Sequence, residues 1–166
     1  MSVTDYGNGS MRTALFSFFY LTLATSLPAI AADYGKWHTD TAYGYERYWT
    51  ESSSGARFTI WCPPNHAVRN TLIGVRIKGR RPDPGSTVLV ELDHKLIKFR
   101  AGNDGYIYND CPACSDNMTY FWHRLRSSVK FAVQLEDRRY SGFSLNGVRE
   151  AMAGSVCSSQ MAQNTR

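Results

Sequence analysis

Cys111-Pro112-Ala113-Cys114 is the stretch whose residue types and spacing come nearest to chemistry. A C-x-x-C pair exchanges electrons when a helix N-terminus holds one sulfur as a thiolate. Here the pair follows a polar Gly/Asn/Asp loop. Apolar helical spacing starts only after Cys114, with Asp116 placed to cap the first turn. No proline follows Pro112, so a thioredoxin-type cis-proline has no candidate. The expectation is a closed structural bridge at a loop-to-helix corner, with thiol–disulfide exchange by Cys111 and Cys114 as the alternative. Zinc would need two further ligands, and His66 and His123 offer neither an H-x₃₋₅-H nor a second C-x-x-C. Covalent haem attachment needs a histidine after Cys114, where Ser115 stands. No cofactor and no metal are expected.

The remaining chemical candidates have structural readings. Asp93-His94 suggests part of a serine triad, but no G-x-S-x-G elbow occurs and the pair sits at the turn of a hairpin, where Asp is favoured. Glu91 and Asp93 share a strand face as adjacent surface acids. Gly102-Asn103-Asp104-Gly105 lacks the lysine and the helix that a phosphate-cradling loop needs. Basic clusters stand at Lys78-Gly79-Arg80-Arg81, at Arg124 with Arg126, and at Arg138-Arg139. Brought together, Lys78, Arg80, Arg81, Arg138 and Arg139 would make an anion-binding patch, against the plainer reading of separately solvated loops. Tyr43, Tyr45, Arg47 and Trp49 would share one strand face, a row suited to carbohydrate stacking or to aromatic cross-strand packing. The chain is expected not to be an enzyme.

These residues need a scaffold, and Val129 to Cys157 is its clearest part. Val129, Phe131, Val133 and Leu135 alternate as one apolar row, and Tyr140 to Ser144 returns after the polar Asp137-Arg138-Arg139 break. Leu145, Val148, Met152 and Val156 then fall near the helical period and lead to Cys157. Upstream, Phe58, Ile60 and Cys62 form one apolar row, Ile73, Val75 and Ile77 another, and Val88, Val90 and Leu92 a third. Ser86–Leu92 and Lys95–Arg100 read as a hairpin across Asp93-His94, and Gly102–Asp110 as a polar loop. Met118, Phe121, Trp122 and Leu125 mark an amphipathic helix. The fold class is α+β and β-rich, a mainly antiparallel sheet of about six or seven strands with two short helices, stapled by disulfides.

The N-terminus reads as a secretory leader. Arg12 is a short positive region, Ala14 to Leu27 is largely apolar, and Pro28 to Ala32 supplies the small residues of a cleavage site. The expected division is a signal peptide over residues 1–31, cut after Ala31 or Ala32 with Met11 as a candidate true start, and a single exported domain over 32–166. The apolar run is too short and interrupted for a membrane span, and none is expected after cleavage. Formal charge is +5, which permits attraction to an anionic surface. All four cysteines, Cys62, Cys111, Cys114 and Cys157, lie in the exported part, as suits an oxidising compartment. Four cysteines allow three pairings. Cys62 lies on a core-facing row and Cys157 ends a helix facing the same core, so the reading favours Cys62–Cys157 with Cys111–Cys114.

Val88-Leu89-Val90-Glu91-Leu92-Asp93 before a second short strand, the Cys-containing loop ahead of an amphipathic helix, and the ending Gly142-Phe143-Ser144-Leu145-Asn146-Gly147-Val148-Arg149-Glu150-Ala151-Met152 form a recognisable order. Over Phe58 to Cys157 that order resembles the invasion-associated locus B family and its small exported relatives in Gram-negative bacteria. The resemblance implies a periplasmic or surface-associated β-rich domain linked with host-cell invasion, and no catalytic residues. The expected function is that of an exported, soluble, periplasmic or secreted non-catalytic binding protein. Its partner is an unidentified protein or envelope component, with nucleic acid disfavoured. A thiol–disulfide oxidoreductase using Cys111 and Cys114 and a periplasmic inhibitor of a host enzyme are the alternatives.

Overall fold

The computed structural model describes residues 34–64, 70–154, 156 and 157. The expected leader and its cleavage site, and also His66, lie outside the described residues.

Alternating apolar residues make nine strands in two antiparallel sheets among the described residues. β1 (Trp37–Ala42), β2 (Tyr45–Glu51), β3 (Arg57–Cys62), β4 (Leu72–Arg76) and β7 (Ile107–Tyr108) form the first, in the order β1-β2-β3-β4-β7. β5 (Thr87–Leu92), β6 (Lys95–Arg100), β8 (Phe131–Leu135) and β9 (Tyr140–Phe143) form the second, in the order β6-β5-β8-β9. Helix α1 covers Pro112–Ser127 and the single-turn α2 covers Val148–Ala151. The β-rich antiparallel class with two helices is therefore as expected, with more strands than the six or seven anticipated.

The two additional strands have local causes. The aromatic segment before Trp49 is a hairpin rather than one strand: Tyr43 and Gly44 form its turn at φ 54° and 78°, values that fit a two-residue hairpin loop. Tyr43 is consequently 94% exposed and leaves the row it was expected to share with Tyr45, Arg47 and Trp49. The loop after Gly102 contains β7, where Ile107 is buried and pairs with Ile73 of β4. Two residues are too few to show a period.

Phe58 joins the sheets. From β3 it meets Phe131 of β8 at 5.0 Å, Phe143 of β9 at 6.1 Å, Phe121 of α1 at 5.9 Å and Trp37 of β1 at 6.2 Å, between ring centres. Apart from Val129, the strand rows expected to face inward do so, and Met118, Phe121, Trp122 and Leu125 of α1 are buried against the same core. Full burial of such a ring contributes about 2–3 kcal/mol.

The hairpin at Asp93-His94 forms as expected, both residues at positive φ. The Asp93 carboxylate accepts the backbone N–H groups of Val129 and Lys130, each at 2.9 Å. That capture delays the start of the expected strand: β8 begins at Phe131, and Val129 is 82% exposed. Asp93 is thus a structural cap, not the acid of a triad. The second helix is shorter than its apolar spacing suggests. Gly147 at φ 76° leaves Leu145 outside it, and Gly154 at φ 89° turns the chain beyond it. Val148, Met152 and Val156 are buried all the same.

Helix α1 departs most from expectation at its start. It opens at Pro112 with Cys111 as N-cap, so Asp116 lies inside the helix and does not cap it. Proline at the first helical position loses no hydrogen bond and carries the right φ. That advantage starts the helix ahead of its first core residue, Met118.

Candidate functional site

The outer face of the five-stranded sheet gathers arginines and aromatic rings. Inward residues of β2, β3 and β4 supply the core, and the alternate positions hold Arg47 and Trp49, Arg57, Thr59 and Trp61, and Gly74 and Arg76. Register sets them side by side: Trp49 opposite Thr59, Arg47 opposite Trp61, Thr59 opposite Gly74 and Arg57 opposite Arg76. Alternation and register alone therefore build the patch.

The side chains interleave. The guanidinium carbon of Arg57 is 4.7 Å from the ring centre of Trp49, and Trp49 stacks on His38 of β1 at 4.5 Å. Arg47 lies 5.0 Å from the Trp61 ring, and Arg81 lies 4.2 Å from that of Tyr106. A cavity of about 200 Å³ opens among them, lined by Arg47, Arg57, Arg76, Arg81, Trp61 and Tyr106 above Thr59 and Gly74. Gly74 is required there: a Cβ would stand 3.0 Å from Cε1 of Tyr106, so the bare backbone seats that ring.

Two carboxylates orient the cations. Arg47 donates through Nε and Nη2 to the two oxygens of Asp40 at 2.6 and 2.5 Å, and the Trp49 indole donates to Asp40 at 3.1 Å. The bond from Arg47 holds the Asp40 carboxyl below the usual carboxylate range, against a smaller opposing effect of burial. The same bond raises the Arg47 pKa. Arg57 donates twice to one oxygen of Glu51, at 3.0 and 2.6 Å. Arg81 donates to the Tyr106 hydroxyl at 2.8 Å. Four guanidiniums thus line the cavity, two of them paired with carboxylates, and arginines cover the ring faces: Arg57 with His38 on Trp49, Arg47 on Trp61 and Arg81 on Tyr106.

The basic residues singled out in the sequence divide. Arg81 lines this cavity. Arg139 is spent on structure: its guanidinium donates to the carbonyl oxygens of Ile77 at 3.0 Å, Arg80 at 2.9 Å and Arg81 at 2.8 Å, and pairs with Asp137 at 2.6 Å. That bond set brings the loop of Lys78, Arg80 and Arg81 against the β8–β9 turn, while fixing the cation that was to join the patch. Lys78, Arg80 and Arg138 are exposed at turns, Arg80 facing Asp83 at 3.5 Å. Arg124 and Arg126 close the last turn of α1, where cations suit the helix dipole, and Arg126 donates to the carbonyl of Gly154. Arg47 and Trp49 were visible as an aromatic row. Arg57, Trp61 and Arg76 were not singled out, although each occupies the outward position of a strand whose inward row was legible.

The cysteines pair as Cys62–Cys157 and Cys111–Cys114. Among the described residues no group of three His, Cys, Asp or Glu side chains could hold a metal ion. Nor is any helix there long and apolar enough to cross a membrane.

Fold and site define a disulfide-stapled, two-sheet β-rich domain with an arginine- and aromatic-bearing sheet face. The YfjT family model matches residues 35–152, well over half of the chain, and the chain belongs to that family. No curated protein and no solved structure matches it. Family membership brings no activity with it.

Proposed function

We propose that this is an exported, envelope-associated binding protein that captures an acidic saccharide chain on the outer face of its five-stranded sheet. The observation that carries the reading is the interleaving of Arg47, Arg57, Arg76 and Arg81 with Trp61 and Tyr106 around one open cavity, with Trp49 beneath Arg57 at its edge. Guanidinium groups recognise carboxylate and sulfate in a planar, forked geometry, and the ring edges beside them offer apolar surface to a sugar. The site acts by binding: its charged groups are paired to hold position, not poised around a reacting atom.

Export belongs to the same proposal. The leader pattern supports it, and so do two disulfides, which persist in oxidising compartments. An acidic glycan of the envelope or of a host surface also accords with the invasion-linked role implied by the resemblance to the invasion-associated locus B family.

Calorimetric titration of the protein with a sulfated uronate tetrasaccharide, beside a neutral glucan tetrasaccharide, tests the reading. Binding of the sulfated chain alone, weakened by salt and lost in the Arg57→Gln/Arg76→Ala variant, is the expected result. Equal binding of both sugars, or binding indifferent to that variant, would refute it.

A further inference from the structure

We propose that the Cys111–Cys114 disulfide is a second functional site, an exchangeable redox centre that oxidises a dithiol in an extended apolar segment of a partner protein. The observation behind this is the position of the pair in the first turn of a 16-residue helix. The sequence had suggested that the helix starts after Cys114, which removed the main reason to expect redox chemistry. In the structure Cys111 is the N-cap, in extended backbone at φ −119° and ψ 157°, and Cys114 is the third helical residue. The backbone N–H of Cys114 donates to Sγ of Cys111 at 3.1 Å. No acidic residue lies in the first turn, although Asp110 precedes the N-cap. When the disulfide opens, negative charge left on Cys111 meets that N–H and the positive end of the helix.

The two bridges of this protein are built differently. Cys62 and Cys157 are fully buried and their bridge spans 95 residues. Cys111 and Cys114 are half-buried behind the exposed Pro112 and Ala113, and their bridge spans 3. So short a loop restrains the unfolded chain little. Helix α1 is anchored independently by Met118, Phe121, Trp122 and Leu125. The short bridge can therefore open without taking the core apart.

A groove reaches this bridge from the side of Cys114. It holds about 140 Å³, with an apolar wall of Phe99, Ile107, Tyr108 and Met118 and with Lys98 and Arg100 among its lining. Its occupant is an extended protein segment with apolar side chains, which that wall takes; Lys98 and Arg100 alternate with Phe99 along β6 and present their cations to the other face, Arg100 beside Gly85. A thiolate of that segment attacks Sγ of Cys114. The S–S bond breaks, and its electron pair departs with Cys111, the sulfur that the helix N-terminus receives. A better-stabilised leaving thiolate leaves faster. The partner's second thiolate then attacks its own sulfur in the mixed disulfide and expels Cys114. The partner dithiol loses two electrons and two protons and becomes a disulfide, while Cys111 and Cys114 gain them as thiols. A second protein disulfide, by the reverse exchange, restores the oxidised site.

The test mixes oxidised full-length protein with a reduced two-cysteine peptide flanked by leucines, followed by thiol trapping and mass spectrometry. The expected result is reduction of Cys111–Cys114 with stoichiometric oxidation of the peptide, about 10-fold faster than for a free Cys-Pro-Ala-Cys peptide, and with Cys62–Cys157 intact. The Cys111→Ser variant, mixed instead with the disulfide-linked dimer of a one-cysteine form of the peptide, should hold a mixed disulfide on Cys114 and release one peptide as its thiol. The Tyr108→Glu variant, changed at an exposed position of the groove wall, should slow exchange with this peptide and leave a glycine-flanked peptide unaffected. A bridge that opens only on unfolding, or no faster than the free peptide, overturns the proposal. The wild-type rate decides this even where a variant fails to fold. The tetrasaccharide titration is independent of it.

Discussion

Arg57 of β3 lies over the ring of Trp49 of β2, its guanidinium carbon 4.7 Å from the ring centre. The arrangement serves two ends at once. It places a cation–π contact between neighbouring strands, of about 0.5–1 kcal/mol at an exposed site. It also holds the guanidinium at the mouth of the cavity, where Glu51 fixes its direction. The patch is thereby organised before any ligand arrives, which lowers the ordering cost of binding.

Asp40 sets how strongly Arg47 can bind an external anion. In Asp40→Asn the guanidinium keeps its position over Trp61 but loses its counter-charge, so affinity for a sulfated tetrasaccharide should rise about threefold to tenfold. Stability should fall by less than about 1 kcal/mol, since the pair is largely solvent-screened. The pH dependence has a definite sign. A carboxyl whose folded pKa is depressed stabilises above its ordinary value near pH 4, about 3.9 for aspartate, and that contribution is lost as pH falls through the depressed folded value. Acid-limb melting curves of wild type and Asp40→Asn should therefore converge as pH falls below the ordinary aspartate value and through the depressed folded one.

Gly74 tests the seat of Tyr106. A Cβ there stands 3.0 Å from the ring, so Gly74→Val must displace Tyr106 and with it the Arg81 stack. Affinity for the sulfated tetrasaccharide should drop about threefold or more, with the far-ultraviolet circular dichroism unchanged. Unaltered affinity would remove Tyr106 and Arg81 from the site.

Adjacent arginines in the β8–β9 turn should behave oppositely. Arg139→Ala removes donors to three carbonyl groups from a side chain only 9% exposed, and should cost about 2–4 kcal/mol in denaturant unfolding. Arg138→Ala, at an exposed turn position with φ 67°, should stay within about 0.5 kcal/mol.

The disulfides should separate in the same way. Losing Cys62–Cys157, which closes a loop of 95 residues, should cost about 4–5 kcal/mol in the chain-entropy picture. Losing Cys111–Cys114 should cost far less, and non-reducing peptide mapping of each serine variant checks which bridge remains.

Much of this fold is readable from side-chain alternation. Phe58, Ile60 and Cys62 point into the core because a strand has a period of two, and Cys62 on that row is already aimed toward a partner near Val156. Asp93-His94 reads as a turn for the same local reasons that form it. What escaped depends on contacts distant in sequence. Val129 looks like the first residue of a strand until Asp93, 36 residues earlier, takes its N–H. Arg139 looks like a free cation until the loop at Ile77 turns its carbonyls toward it. The start of α1 escaped because its first turn, before Met118, adds nothing to the apolar period. The binding face escaped in part because outward residues carry no periodic signal of their own: only register sets Arg57 beside Arg76.

The indole N–H resonances of the four tryptophans offer the most direct measurement of the central claim. Trp49 and Trp61 border the proposed saccharide face, whereas Trp37 and Trp122 are buried in the core and act as internal references. Titration with a sulfated uronate tetrasaccharide should shift the Trp49 and Trp61 signals in a saturable, salt-sensitive way and leave those of Trp37 and Trp122 in place. Unmoved signals from Trp49 and Trp61, or equal movement of all four, would contradict the assignment of this face as the binding site.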